Sequence, residues 1–140
     1  MKAEVFLPDD YRPADDEPFM NSSQVEYFRR KLLSWKSELL SDSKDTIEAL
    51  QDNTRAIPVI SDRASEETDR ALELRTRDRQ RKLVSKIDSA LRRIEEGEYG
   101  YCEETGEPIS LRRLDARPIA TMSLEAQERH ERREKVHRDD

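Results

Sequence analysis

The residues whose spacing suggests chemistry lie between 96 and 127, where Cys102 stands in the arrangement of a zinc knuckle. A four-thiolate zinc site usually has two Cys-x-x-Cys pairs separated by about 18 residues. In this chain the four corresponding positions are Cys102, Thr105, Ser123 and Ala126. Alanine has no donor atom, and serine and threonine hydroxyls are poor zinc ligands. We therefore interpret these positions as vestigial and expect no stably bound metal.

Other kinds of reactive site find little support in the sequence. His130 and His137 both fall in the charged C-terminal segment, away from a cluster of ligands. The chain shows no phosphate-binding glycine loop, no pairing of a nucleophile with a base and no metal cluster, so we expect no enzymatic activity. A thiol-based sensor using Cys102 is an alternative, but it requires a lowered thiol pKa and a resolving partner. No second cysteine exists within the 140 residues.

The composition restricts the fold class and the possible partners. Charged residues make up 41% of the chain and hydrophobic residues 34%. A compact sphere of this size would usually be more apolar, so a thin helical pair or a disordered chain fits better. The net charge of -6 argues against direct DNA binding, which normally needs a basic excess. Since the sequence has no membrane-length apolar run and no signal pattern, we expect a cytoplasmic protein.

A first long helix is predicted after an acidic, proline-containing arm at residues 1–21. Asn21, Ser22 or Ser23 can cap this helix, with Glu26 as the capping-box partner of Ser23. Apolar residues then alternate at spacings of three and four, which is typical of a coiled-coil seam. These residues are Val25, Phe28, Leu32, Trp35 and Leu39, and the pattern weakens before it returns at Ile47 and Leu50. Pro58 ends the run.

A second long helix is predicted to start near Ser61 or Asp62 and to run to Gly97. Its apolar positions are Ala64, Ala71, Leu72, Leu83, Ile87, Ala90, Leu91 and Ile94. Residues 75–82 are almost entirely charged, which fits either a solvated face or a binding surface. Two helices of this length joined by a short turn should fold back antiparallel. We therefore predict a coiled-coil hairpin at 22–97 whose tip is residues 56–64.

The three glycines of the chain, Gly97, Gly100 and Gly106, mark a change to a compact, turn-rich module at residues 98–140. A last helix, capped by Ser123, is predicted near 123–136. Without a metal, apolar side chains must hold this module together. The candidates are Tyr99, Tyr101, Ile109, Leu111, Leu114, Ile119, Met122 and Leu124. The predicted fold is therefore mainly α, with a long hairpin, a small zinc-finger-like base that includes the N-terminal arm, and a C-terminal helix.

Three segments carry a resemblance to a known family: LELRTRDRQRKL at 72–83, GYCEETG at 100–106 and LRRLDARPIA at 111–120. In order and spacing they resemble the DksA family of bacterial transcription factors, over about residues 19–135, and in particular its zinc-less branch. The resemblance implies a monomer that inserts its hairpin into the secondary channel of RNA polymerase. It also implies modulation of initiation together with the alarmone ppGpp in the stringent response, without direct DNA binding.

The resemblance also implies particular site residues. The family tip pattern Asp-x-x-Asp-x-Ala corresponds to residues 59–64, where Asp62 and Ala64 match and Val59 replaces the first acid. Without the resemblance, Asp62 would be interpreted as a helix N-cap or a first-turn acid.

The family's ppGpp-binding positions correspond to Leu83, Lys86 and Arg117, while a further family lysine is replaced by Gln127. Cations suit a ligand with several phosphate charges. Without the resemblance, Lys86 and Arg117 would be interpreted as ordinary solvated side chains. A structural coiled-coil adaptor is the alternative from a different class, although it leaves the glycine-rich knuckle unexplained.

Overall fold

The structure is a computed structural model that describes the backbone of residues 5–55 and 63–139. Its helices are α1 (Ser22–Arg55), α2 (Arg63–Glu95), α3 (Leu111–Ala116) and α4 (Leu124–Asp139). In these ranges the β-structure is a single antiparallel bridge between Tyr101 and Pro108. The mainly α fold is confirmed. None of the helices described is long and apolar enough to cross a membrane.

The chain divides into two compact units. Residues 33–88 form the first, here called the hairpin unit. Residues 1–32 and 89–140 form the second, here called the finger unit. The boundaries fall inside α1 and α2.

The hairpin unit is an antiparallel pair of helices. The connection of residues 56–62 joins one end of the pair, while Lys36 Nζ lies 2.7 Å from Asp88 Oδ1 at the other end. A pair joined at one end and in contact at the other must run antiparallel. Near this ion pair the apolar seam is well buried, with Leu39 8% and Ile87 0% exposed. The predicted coiled-coil hairpin is confirmed in this unit. Leu72 is more than half exposed, so its assignment to the apolar side of α2 was wrong.

The start of α1 differs in detail from the predicted capping box. Asn21 is the cap, because its Oδ1 accepts the backbone N–H of Gln24 at 2.9 Å. Gln24 in turn accepts the N–H of Met20 at 2.8 Å, and its side chain is fully buried. Glu26 pairs with Arg29 and Arg30 instead of with Ser23. The cap therefore lies two residues earlier than Ser23, and it is not a full capping box, because Gln24 accepts the N–H of Met20 while Asn21 donates its own N–H to the carbonyl of Pro18 at 3.3 Å.

The finger unit is built around an apolar cluster. Phe28 of α1 packs against Tyr99 with their ring centroids 5.7 Å apart, and both side chains are buried. Ile109 and Leu114 are fully buried in the same unit. The short helix α3 was not predicted, although Ser110 caps it by accepting the N–H of Arg113 at 3.2 Å. Among the expected core residues, Tyr101 and Leu124 are instead exposed.

Candidate functional site

The finger-like segment of the finger unit is a tight backbone turn. Cys102 donates its N–H to the carbonyl of Glu107 at 2.8 Å, and Gly106 donates to the carbonyl of Cys102 at 2.8 Å. Gly106 has a φ of +75°, a conformation that costs a residue with a Cβ more than it costs glycine. The N–H of Glu103 reaches the carbonyl of Thr121 at 2.8 Å, which joins the turn to the segment before α4.

Cys102 lies at the centre of this turn with only 2% of its surface exposed. Burial raises the pKa of its thiol, but hydrogen bonds lower it by more, to about 7. The donors are the Thr105 hydroxyl and the backbone amides of Ser123, Thr105 and Glu104. Three of the four vestigial positions therefore lie together, with donors of Thr105 and Ser123 at the sulfur of Cys102.

The donor set at the four positions does not fit a zinc ion. The Thr105 hydroxyl accepts the N–H of Glu107 at 3.2 Å, and the Ser123 hydroxyl accepts the N–H of Ala126 at 3.2 Å. These oxygens complete the turn and cap α4, as predicted for Ser123. Ala126 is fully buried and offers only a methyl group. Over the residues the structure describes, no group of three or more His, Cys, Asp or Glu side chains could hold a metal.

Apolar packing and one buried hydrogen bond surround the turn. Five of the eight expected core side chains are buried: Tyr99, Ile109, Leu111, Leu114 and Ile119. The hydroxyl of Tyr99 donates to the carbonyl of Pro118 at 2.8 Å, and burial raises the pKa of this phenol. The finger unit therefore has a core of its own, which is what a small module needs when no metal links its segments.

The predicted ligand-binding residues lie in both units. In the hairpin unit, Leu83 is half-buried and Lys86 is exposed on α2. In the finger unit, Arg117 is exposed at the end of α3, where its N–H donates to the carbonyl of Arg113 at 2.8 Å. Gln127 on α4 donates from its amide to Glu131 at 3.1 Å. Both cations are accessible to an anion within their own units.

The predicted tip residues fall largely outside the structure's description. Asp62 lies in the stretch 56–62, outside the described residues. Ala64 belongs to the first turn of α2, but its side chain is likewise outside the description.

A polar cluster in the finger unit was missed by the sequence analysis. Asp115 accepts the Tyr27 hydroxyl at 2.6 Å and the Lys31 ammonium at 2.7 Å. The hydrogen bonds from Lys31 and then Tyr27 lower the pKa of Asp115, while burial, followed by the Asp115 hydrogen bond, raises the pKa of Tyr27 to about 12. Tyr27 and Lys31 share a face of α1 at i and i+4, which is the available sequence signal. The sequence contains 32 acidic residues, and only the tertiary structure shows which of them contacts Tyr27 and Lys31.

The same cluster borders a surface cavity of about 400 Å³ between the N-terminal arm and α1. Arg12 lies 6.0 Å from the centre of the Tyr27 ring, and Arg30 donates to the carbonyl of Val5 at 3.1 Å. The Arg30–Val5 hydrogen bond and the Arg12–Tyr27 contact hold the arm on α1.

Comparisons with known proteins cover nearly the whole chain. The family model described as "DnaK suppressor protein DksA, N-terminal domain" matches residues 24–94. The model described as "Prokaryotic dksA/traR C4-type zinc finger" matches residues 97–132. The second match spans the segment in which Cys102 is the sole cysteine.

Two curated relatives carry the name "RNA polymerase-binding transcription factor DksA". The protein of Caulobacter vibrioides is 71% identical over 131 residues, covering 94% of this chain and 92% of the relative. The protein of Escherichia coli K12 is 40% identical over 125 residues, covering 89% of this chain and 83% of the relative. Among solved structures, transcription factor DksA2 from Pseudomonas aeruginosa matches with a TM-score of 0.79 and 44% identity, over 84% of this chain and 90% of that one.

Proposed function

Because this chain belongs to the DksA family, we propose that it is a transcription regulator that binds RNA polymerase. The observation that carries this proposal is the 71% identity to a relative of that name, which extends over 94% of the chain. The matched residues include both the helical pair and the finger unit. Family members are transcription factors, and we propose that this one likewise has no enzymatic activity and works in the cytoplasm.

The proposed mechanism uses the hairpin unit as the inserted part. Two helices side by side are about 20 Å across, narrow enough to enter a pore of another protein. We propose that the hairpin enters the secondary channel of the polymerase and that Asp62 and Ala64 act there on initiation. The antiparallel pairing of α1 and α2 supports this mechanism, because the end of α1 and the start of α2 then lie at the same end of the pair.

The proposed effector is ppGpp, bound together with the polymerase. Lys86 and Arg117 would pair with its phosphates, and Leu83 would contact it beside them. The exposure of both cations supports this assignment, since charge-assisted hydrogen bonds to phosphate need accessible donors. Gln127 offers no charge at the further family position, so fewer cations face the effector here.

We also propose that the finger unit works without zinc. The support is its donor set, in which one thiol remains and Ala126 has no donor atom. The hydrogen bonds to the Cys102 sulfur and the buried core around Tyr99 supply the cross-links that a metal would otherwise give.

A binding experiment tests the proposed function directly. Purified protein is mixed with core RNA polymerase, and complex formation is measured by co-elution and by competition with a fluorescent copy of the same chain. We expect a one-to-one complex, a monomer in the absence of polymerase, and no shift of promoter DNA by the protein alone. Failure to bind the polymerase, or a DNA shift without it, would contradict the proposal.

A further inference from the structure

One stripe of α2 in the hairpin unit changes character along its length. Glu66, Glu73, Gln80 and Ile87 follow one another at intervals of seven residues, so they occupy equivalent positions of a coiled-coil seam. Ile87 is fully buried. One side-chain oxygen of each of the other three is also buried, and none of these oxygens has a hydrogen-bond partner.

Buried acceptors without donors destabilise the packed state. Each such atom has lost its hydrogen bonds to water without gaining one from the protein, which costs free energy. The oxygens of Glu66, Glu73 and Gln80 are shielded from bulk water, and no donor compensates them. Three equivalent positions in succession therefore oppose the pairing of α2 with α1.

The apolar residues beside this stripe are on the outside of the pair. Leu72 is 53% exposed and Leu74 is 47% exposed, although Glu73 between them has a buried oxygen. This is the reverse of the usual pattern, in which leucine faces the seam and glutamate faces water. Near Ile87 the usual pattern holds, and the Lys36–Asp88 ion pair closes that end.

From this contrast we propose that residues 66–80 are a built-in weak zone, in which α2 separates locally from α1 while the Ile87 end stays paired. Separation returns water to the three orphaned oxygens, so opening regains the hydrogen bonds that closure removes. At the end of the pair where Ile87 and Leu39 are buried, opening would expose apolar side chains and rehydrate none of these oxygens, so that end stays closed.

In the weak zone the distance between α1 and α2 can change, close in sequence to residues 56–62. If the hairpin enters the polymerase as proposed above, helix spacing at this end can adapt to the walls of the pore at small cost. That consequence rests on the proposed function. The weak zone itself is a property of the free protein and is tested without polymerase.

Hydrogen exchange of backbone amides in the full chain tests the inference. In the wild type we expect protection factors for residues 66–80 at least about tenfold below those for 83–88. The double variant Glu73→Leu with Gln80→Leu replaces two of the orphaned acceptors by apolar groups. It should raise protection across 66–80 about tenfold or more and leave 83–88 within about twofold.

A matched control distinguishes the effect of leucine at the two seam positions from a general effect of adding leucine to α2. Ser65→Leu with Glu67→Leu makes the same change in charge at two exposed positions of α2, and it should leave the protection of 66–80 within about twofold. Equal wild-type protection of 66–80 and 83–88 would overturn the inference, as would unchanged or reduced protection in the seam variant. If the wild-type protein does not bind polymerase, the proposed function is contradicted, but the weak zone is still tested by the hydrogen-exchange result.

Discussion

The thiol of Cys102 is expected to make the stability of the finger unit depend on pH. Several donors point at one buried sulfur, and they favour its ionised form enough to lower the pKa from 9.0 to about 7. A group whose pKa is lower in the folded state contributes stability above its unfolded pKa and loses that contribution as the pH falls through its folded pKa. For Cys102 the contribution therefore grows as the pH rises from about 7 to about 9.

Cys102→Ser should remove this dependence, since a serine hydroxyl does not ionise in this range. The free energy of unfolding of the wild type relative to the variant should increase by on the order of 1 kcal/mol between pH 7 and pH 9. Denaturant titration of both proteins at several pH values measures it, and other titrating groups cancel in the difference. A difference that is flat or decreases with pH would show that the hydrogen bonds do not favour the thiolate.

Lys86 and Arg117 are predicted to serve the effector more than the polymerase. Lys86→Ala with Arg117→Ala removes two cations that can bind phosphate, at about 1.5 to 3 kcal/mol for each charged hydrogen bond. The response of transcription to ppGpp should fall at least about tenfold, while binding to polymerase without ppGpp should change little. Transcription in vitro with and without ppGpp gives both values.

The control for this pair is Arg92→Ala with Arg112→Ala, which removes two other exposed cations, from α2 and α3. It changes the net charge equally and should leave the ppGpp response intact. If both double variants respond to ppGpp like the wild type, the effector site lies elsewhere.

At the scale of elements, the turn around Cys102 is expected to keep its fold without metal. The purified protein should contain less than about 0.1 zinc per chain by elemental analysis, and a strong chelator should leave its thermal unfolding unchanged. The variant Thr105→Cys, Ser123→Cys, Ala126→Cys restores four thiols and should bind about one zinc. One zinc per wild-type chain, with unfolding on chelation, would refute the metal-free finger.

The apolar seam gives a second prediction at this scale. Leu32→Asp or Ile87→Asp places a carboxylate where the wild-type side chain is fully buried, and each should destabilise the protein by several kcal/mol. Helicity and the melting temperature, measured by circular dichroism, should both fall. Leu40→Asp, at a position 52% exposed on α1, is the matched control and should have a small effect. Equal behaviour of the buried and exposed variants would mean that the seam was assigned wrongly.

The elements that were predictable from the sequence are those set by local periodicity. The spacing from Phe28 to Leu39 identified the buried face of α1, and the glycines located the finger-like turn. Leu72 was misassigned because hydrophobicity alone predicts an apolar side chain in the seam, whereas here Leu72 is exposed and the neighbouring Glu73 has a buried oxygen. Helix α3 was missed because six residues are too few to display a helical period. Asp115 was missed because its partners are more than 80 residues away in sequence.

At the scale of the whole molecule, the proposed function divides the work between the units. The finger unit has a buried core, and in the hairpin unit the seam positions of α2 change from buried Ile87 to Gln80, Glu73 and Glu66. In the proposed function the chain acts through what it presents to the polymerase, and Asp62 at the predicted tip is where a single charge can be tested.

Asp62→Asn is the sharpest test of that mechanism. If Asp62 acts only as an acid at the start of α2, its charge is worth at most about 1 kcal/mol of stability, and asparagine still caps a helix. The variant should therefore stay folded and compete normally for polymerase. If the charge acts inside the channel, the variant should nevertheless lose regulation in a transcription assay by tenfold or more, equivalent to about 1.4 kcal/mol. Glu67→Gln removes an exposed charge from the same helix and should regulate normally. Full regulation by Asp62→Asn would show that the charge of Asp62 is not the active element. Val59, which replaces an acid in the family pattern, would then be the first residue to substitute.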